Sequence, residues 1–179
     1  MATWAMPELA MVSHATLIRA ANEVDLSSLV RIYNHYVEHE AATFDLEPHT
    51  LLSRLPWFRQ FSESGPHRIF TAEVEGVAVG YACSTKFKDR PAYATSIETS
   101  VYVAPDCRGR GIGRLLYGAL FKALMGEDLH RAFAGVTQPN EASMRLHHSA
   151  GFVETGIFRE AGRKFGRFWD VVWLARDMP

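Results

Sequence analysis

The sequence is short of cysteine and of net charge. Cys83 and Cys107 are its only cysteines in 179 residues, too few for a disulfide framework and too far apart for a zinc site. We therefore expect no metal, and a reducing cytoplasmic compartment. The formal net charge is -1, which gives no global positive field, so we expect neither nucleic acid nor a membrane surface as a partner.

Long apolar runs are also absent. No stretch approaches the roughly 20 apolar residues of a membrane-spanning helix. Residues 1–15 lack the basic start and continuous apolar core of a signal peptide, because Pro7, Glu8 and His14 interrupt them. We expect a poorly ordered N-terminal extension over residues 1–15 and a single domain over residues 16–179.

Hydrophobic periodicity and turn residues predict an ordered series of strands and helices. Strands are expected at 16–20, 69–75, 77–85, 93–103, 131–137, 152–159 and 168–175. Helices are expected at about 23–38, 51–61, 112–124 and 140–150. This order indicates an α/β (α+β) protein with one mixed sheet of about seven strands and helices on both faces.

A glycine-rich turn between a strand and a helix is the strongest single signal. Alternating glycines allow positive φ and let backbone N–H groups converge on an anion, beside the positive end of the helix dipole. The segment consists of Arg108, Gly109, Arg110, Gly111, Ile112, Gly113 and Arg114. A P-loop or dinucleotide fingerprint would need other residues here. The segment predicts a pyrophosphate site. The alternative is a glycine-rich turn that only connects the strand to the helix.

Glu98 lies in the strand that leads into this turn. Its side chain projects from the face opposite Ile97 and Thr99. Glutamate is a poor strand former. A carboxylate here can take a proton from an ammonium group as a general base, and the alternative is a solvated or salt-bridged strand residue.

The helix after Pro139 carries a polar stripe. Asn140, Ser143 and His147 stand at i, i+3 and i+7, on one face. If this face meets a ligand, Asn140 and Ser143 can hydrogen-bond it and His147 can relay a proton, although a lone helical histidine is more often structural. Tyr117 lies in the preceding helix. Two interpretations fit it equally well: a packing residue or a proton donor.

A loop between two strands carries cationic and aromatic side chains. Lys88, Arg90 and Tyr93 within it suit a small anionic ligand. Charged loop residues are otherwise simply solvated.

Taken together, these segments carry a specific likeness. The motifs are FDLEP at 44–48, GYA at 80–82, KDRPAY at 88–93, ETSVYV at 98–103, the glycine turn at 108–113, NEASMRLH at 140–147 and GRKFGRFWD at 162–170. From about Thr16 onward the chain resembles the phosphinothricin acetyltransferase family, within the GCN5-related N-acetyltransferases (GNAT). The resemblance implies a GNAT fold with a mostly antiparallel sheet.

The resemblance also implies an activity and a set of roles. The activity is direct transfer of acetyl from acetyl-CoA to the α-amine of a small amino acid analogue, such as phosphinothricin, methionine sulfoximine or methionine sulfone. Glu98 falls on the base position and His147 on an assisting histidine. The turn holds the pyrophosphate. The acetyl-CoA arm is assigned to Val101, Tyr102, Val103, Asn140 and Ser143, and the acceptor to Phe44, Glu47, Lys88, Arg90 and Tyr93. A homodimer is implied, with the site near its interface.

Departures from the family pattern leave the acceptor open. Thr99 stands where many members have histidine, and Phe87 where many have tryptophan. A protein N-terminus, a polyamine or an aminoglycoside is an alternative acceptor, although Lys88 and Arg90 would repel a cation. A non-catalytic acyl-CoA-binding module is a third hypothesis, against which Glu98 argues.

Overall fold

The computed structural model describes residues 15–178, so the expected N-terminal extension lies, apart from Ala15, outside the described residues. Seven strands form one sheet in the order β1-β2-β3-β4-β5-β7-β6. The strands are β1 Leu17–Ala20, β2 Ile69–Val74, β3 Val77–Lys86, β4 Ser96–Val103, β5 Arg131–Thr137, β6 Val153–Lys164 and β7 Arg167–Asp177. All neighbours pair antiparallel except β4 and β5, which are parallel.

Four helices cover the sheet: α1 Leu26–His39, α2 Leu51–Phe58, α3 Ile112–Ala123 and α4 Glu141–Ser149. The predicted order of elements is confirmed. Asn22 caps a short 3-10 turn that leads into α1, and Thr50 caps α2 with reciprocal hydrogen bonds to Ser53. These caps satisfy N-terminal amides that would otherwise lack partners. No helix within residues 15–178 is long and apolar enough to cross a membrane.

Two hydrophobic cores lie on opposite faces of the sheet. The first packs α3 against residues such as Ile97, Ala132 and Leu174. The second packs α1 and α2 against the other face, including Tyr81 and Cys83. Successive strand residues point to opposite faces, so Ile97 of β4 faces the first core and Tyr102 faces the second.

Several element boundaries differ from the sequence prediction, and three of the differences follow from local features of the chain. β4 begins at Ser96, because Pro91–Tyr93 forms a 3-10 turn with proline at its start. α2 ends at Phe58 instead of about residue 61, two residues after Pro56, which lacks a backbone donor. β6 continues to Lys164, past a register shift between Phe158 and Gly162 that the strand pattern did not reveal.

The parallel pair in the middle of the sheet is short. Ser96, Ile97 and Glu98 of β4 pair with three residues of β5, and no pairing follows. β4 nevertheless continues to Val103, and β5 to Thr137. The two strands therefore separate toward their carboxyl ends, which opens a gap through the sheet.

Candidate active site

A cleft of about 640 Å³ occupies this gap. Its walls come from residues 98–103 of β4, residues 135–137 of β5, the glycine turn, and the first turns of α3 and α4. Tyr33 and Tyr36 of α1 also line it. The cleft thus reaches both faces of the sheet, because α1 and α3 lie on opposite sides.

The glycine turn leaves backbone donors free at the mouth of the cleft. Gly109 and Gly111 have φ of 75° and 77°, the left-handed region that favours glycine. No side chain caps α3, and its first hydrogen bonds run from Arg114 and Leu115 to the Gly111 carbonyl, at 3.1 and 3.2 Å. The amides before Arg114 therefore face the turn at the positive end of the helix, which is a cradle for an anion.

Gly113 lines the cleft as well, but it lacks the positive φ that was expected of it. It lies inside α3, where a Cβ would come within 2.8 Å of the Leu146 side chain. Its missing side chain lets α3 and α4 approach closely, so two glycines, and not three, shape the turn by positive φ.

The three arginines of the turn have separate environments. Arg108 lines the cleft, pairs with Glu40 and lies over the Tyr36 ring at 4.8 Å. Arg114 lines the cleft at the first turn of α3. Arg110 donates to the Asp106 carbonyl at 2.8 Å and is outside the cleft lining. Two of the three predicted cations thus lie at the cradle.

The open edge of β4 presents backbone groups to the cleft. Ala104 donates to Val79 beside β3 at 2.8 Å, and alternate residues of a strand direct their N–H and C=O groups to opposite sides. Val101 and Val103 therefore face β5 across the gap. The Tyr36 hydroxyl donates to the Val103 carbonyl at 2.6 Å and accepts from the Val103 N–H at 3.2 Å. Tyr102 instead turns its side chain into the core below α1.

Glu98 lies where the gap begins. Its register partner on β3 is Thr85, so its side chain shares the α1 face with Cys83 and Tyr102. Among residues 15–178, no group donates a hydrogen bond to its half-buried carboxylate, and burial raises the pKa of Glu98 above its usual range. An unpaired carboxylate with a raised pKa is suited to take up a proton.

His147 and Tyr117 lie together on the opposite face. Tyr117 donates its hydroxyl proton to His147 Nε2 at 2.8 Å, and His147 Nδ1–H donates to the Ser143 carbonyl at 2.8 Å. Burial lowers the pKa of His147 and raises that of Tyr117. His147 reaches the cleft wall, whereas Tyr117 does not. The structure joins these two predicted residues but separates both from Glu98.

Comparison with known proteins decides the family. Residues 18–173 match the family model of the acetyltransferase (GNAT) domain. The chain belongs to the GNAT acetyltransferase family. Within residues 15–178, no cluster of His, Cys, Asp and Glu side chains could hold a metal ion.

Curated relatives and solved structures agree with this assignment. A phosphinothricin N-acetyltransferase of Streptomyces coelicolor is 53% identical over 163 residues, covering 90% of this chain and 95% of the relative. The L-amino acid N-acyltransferase MnaT of Escherichia coli is 34% identical, covering 88% and 91%. A Salmonella typhimurium acetyltransferase solved with its cofactor acetyl-CoA is 33% identical, covers 92% and 95%, and has a TM-score of 0.87.

The site of this acetyltransferase fits acetyl-CoA, which is its acetyl donor. The cradle formed by Gly109 and Gly111 suits the diphosphate, and the open edge at Val101 suits an amide-bearing arm. Asn140 and Ser143 line the same wall; Asn140 caps α4 by accepting from the Ser143 N–H at 3.1 Å. The hydroxyl of Ser143 and the amide nitrogen of Asn140 retain donors for a ligand.

The predicted acceptor-binding residues lie outside the cleft lining. Lys88, Arg90 and Tyr93 line a separate shallow depression on the loop before β4. The Phe44 ring packs against Gly162, and Glu47 is exposed. Their part in acceptor binding stays a prediction.

Several cleft residues were not identified from the sequence as functional. Tyr33 donates to Asp45 at 2.8 Å and lies 2.7 Å from the Thr43 hydroxyl, and burial raises its pKa to about 12. Tyr36 holds Val103, as described above. The spacing of both tyrosines along α1 fits a buried face, so periodicity gave no sign that their hydroxyl groups lie at a site.

Proposed function

We propose that this enzyme transfers the acetyl group of acetyl-CoA to the α-amine of a small amino acid analogue of the phosphinothricin, methionine sulfoximine or methionine sulfone type. The observation that carries the proposal is the unpaired Glu98 carboxylate, on the cleft that also contains the anion cradle. The relatives described above are named for phosphinothricin and for L-amino acids, which supports this acceptor class.

Glu98 would act on the acceptor. An α-amine is an ammonium ion near neutral pH and cannot attack a carbonyl until it loses a proton. Glu98 takes that proton, directly or through water, and the neutral amine attacks. Acetyl-CoA supplies an acetyl group held in a thioester. The new N–C bond replaces the C–S bond, the nitrogen loses a second proton as it becomes an amide, and that proton goes, directly or through water, to the departing thiolate.

The other groups of the cleft bind and orient acetyl-CoA. The amides of the glycine turn bind the diphosphate, with Arg108 and Arg114 beside it. Val101 offers its N–H and C=O groups to the pantetheine arm. Both ring nitrogens of His147 already form hydrogen bonds within the protein. We therefore propose that His147 and Tyr117 position Ser143 and α4 and do not transfer protons.

An acceptor screen tests this function. We expect acetyl-CoA-dependent CoA release with phosphinothricin and methionine sulfone, and none with a polyamine or an aminoglycoside, because the predicted acceptor loop before β4 carries Lys88 and Arg90, which would repel a cationic acceptor. CoA release should be followed with each acceptor at millimolar concentration. Tight acetyl-CoA binding without turnover on any acceptor would favour the non-catalytic module instead.

We also propose that the enzyme is a homodimer with the β6 edge in its interface. Val153, Ile157 and Phe158 expose 61%, 44% and 59% of their surface on this edge strand. Their register partners Ala175, Val172 and Val171 place Val153 and Phe158 on one face and Ile157 on the other, and exposed apolar side chains along an edge are typical of an association surface. Sedimentation should give twice the monomer mass. An I157E/F158E double variant is expected to sediment as a monomer, and unchanged mass would contradict the proposed interface.

A further inference from the structure

An amino acid acceptor presents a carboxylate as well as an amine, and the cations at the cleft are largely occupied. Arg108 pairs with Glu40, and Arg145 pairs with Glu141 at 3.2 Å. Arg114 stands at the anion cradle. Behind the cleft, buried Lys164 donates to the carbonyls of Tyr36, Glu40 and Thr43, at 3.2, 2.8 and 2.8 Å. None of these is a free partner for a second anion near Glu98.

Arg54 of α2 is different. Its guanidinium lies between two aromatic rings, 4.3 Å from the Tyr33 centroid and 3.9 Å from the Trp57 centroid. Within residues 15–178, its side chain has no hydrogen-bond acceptor and no ion-pair partner. Contact with the two rings holds the guanidinium in place, while its N–H donors remain available to a ligand.

Arg54 lies on the same side of the sheet as the Glu98 side chain. Arg54 is itself outside the cleft lining, but Tyr33, on which it stacks, lines the cleft and contacts the Tyr102 ring at 5.1 Å. Burial raises the pKa of the Cys83 thiol to about 12; the Arg54 cation opposes this shift, and the Glu98 carboxylate adds to it. Arg54 and Glu98 therefore both lie close enough to Cys83 for their charges to act on it.

We propose that Arg54 binds the carboxylate of the amino acid acceptor, while Glu98 receives the proton of its α-ammonium group. The inference rests on the proposed function and names the residue that selects α-amino acids over simple amines. A planar guanidinium pairs with a carboxylate through two parallel hydrogen bonds, which fixes the acceptor's orientation as well as its affinity. Lys88 and Arg90, outside the cleft lining, would then be free to meet the distal group of the acceptor.

The test compares two acceptors on three variants, R54M, R54K and the control R59M. Methionine sulfone and its carboxamide differ only at the carboxylate. We expect R54M to lower kcat/KM for the acid about 30-fold, the loss of about 2 kcal/mol for a charge-assisted pair, and to leave the amide nearly unchanged. R59M is the matched control, since Arg59 lies at the end of the same helix and pairs with exposed Glu23. The R54K variant should recover part of the preference for the acid.

The outcomes separate this proposal from the function on which it rests. An equal fall for acid and amide in R54M, with R54K no better, would overturn the role of Arg54. A thermal melt and acetyl-CoA affinity matching the wild type show that the variant is folded. If R54M is unfolded, R54K decides: a preference for the acid equal to that of the wild type overturns bidentate binding, and a reduced one supports it. A wild-type enzyme inactive on every amino acid would instead refute the proposed function.

Discussion

Replacing Glu98 with glutamine is expected to lower kcat about 10²- to 10⁴-fold at neutral pH, the usual contribution of a general base. Glutamine keeps the shape of the side chain but cannot accept the proton of an ammonium group. Acetyl-CoA affinity should stay the same, since the anion cradle lies at the far end of β4. Steady-state kinetics and calorimetry with acetyl-CoA measure the two quantities separately.

The pH profile gives a second readout for the same residue. Burial raises the pKa of Glu98, and the base works only when ionised, so wild-type kcat/KM should fall on the acid side at a pH above the ordinary glutamate range. The glutamine variant should lack that limb. The matched control is E38Q, because Glu38 is half exposed on α1 and outside the cleft. A fully active E98Q enzyme would remove Glu98 from the base role.

Stability should change in the opposite direction to activity. A carboxyl group whose pKa is raised on folding binds more protons in the folded state than in the unfolded state. Its ionisation therefore costs stability as the pH rises through the unfolded pKa toward the folded pKa. Glutamine stays neutral, so E98Q should unfold at the same or a higher temperature than the wild type at pH 7.

An aspartate at Gly111 is expected to weaken acetyl-CoA binding at least about 100-fold. The new carboxylate would stand at the cradle, where repulsion between two like charges about 5 Å apart costs about 3 kcal/mol at an effective dielectric constant near 20. Calorimetry with CoA measures the change directly. Higher salt should restore part of the affinity, because the repulsion is screened.

Gly76 provides the control for backbone strain. Its φ is 79°, close to the 77° of Gly111, and a Cβ at either position meets no atom within 4 Å. G76D therefore carries the same conformational cost in the β2–β3 turn, away from the cleft. Equal losses of CoA affinity in the two variants would mean that strain, and not charge at the cradle, explains the effect.

The sequence was informative where chemistry follows local spacing. The strand-turn-helix around Gly111, the commitment of Glu98 to one face of β4 and the Asn140 cap all depend on residues a few positions apart, and the structure contains each of them. The order of elements follows from the same periodicities.

What the sequence did not reveal depends on contacts between distant segments. Gly113 serves packing because Leu146, 33 positions later, lies against it. The lack of an ion-pair partner for Arg54 within residues 15–178, and the separation of Glu98 from His147, follow from which helix covers which face. No local pattern encodes those distances, and a cationic loop such as the one containing Lys88 looks the same wherever the fold puts it.

The short pairing between β4 and β5 also affects the stability of the enzyme. One half of the sheet consists of β1 to β4 and the other of β5 to β7. The strand pairing between the two halves is limited to three residue pairs. A molecule seated in the gap braces the two halves, and at 100 times its dissociation constant it adds about 2.7 kcal/mol to the resistance against unfolding. The supply of acetyl-CoA in the cell would thereby govern how long each enzyme molecule survives heat and proteases, apart from how fast it works.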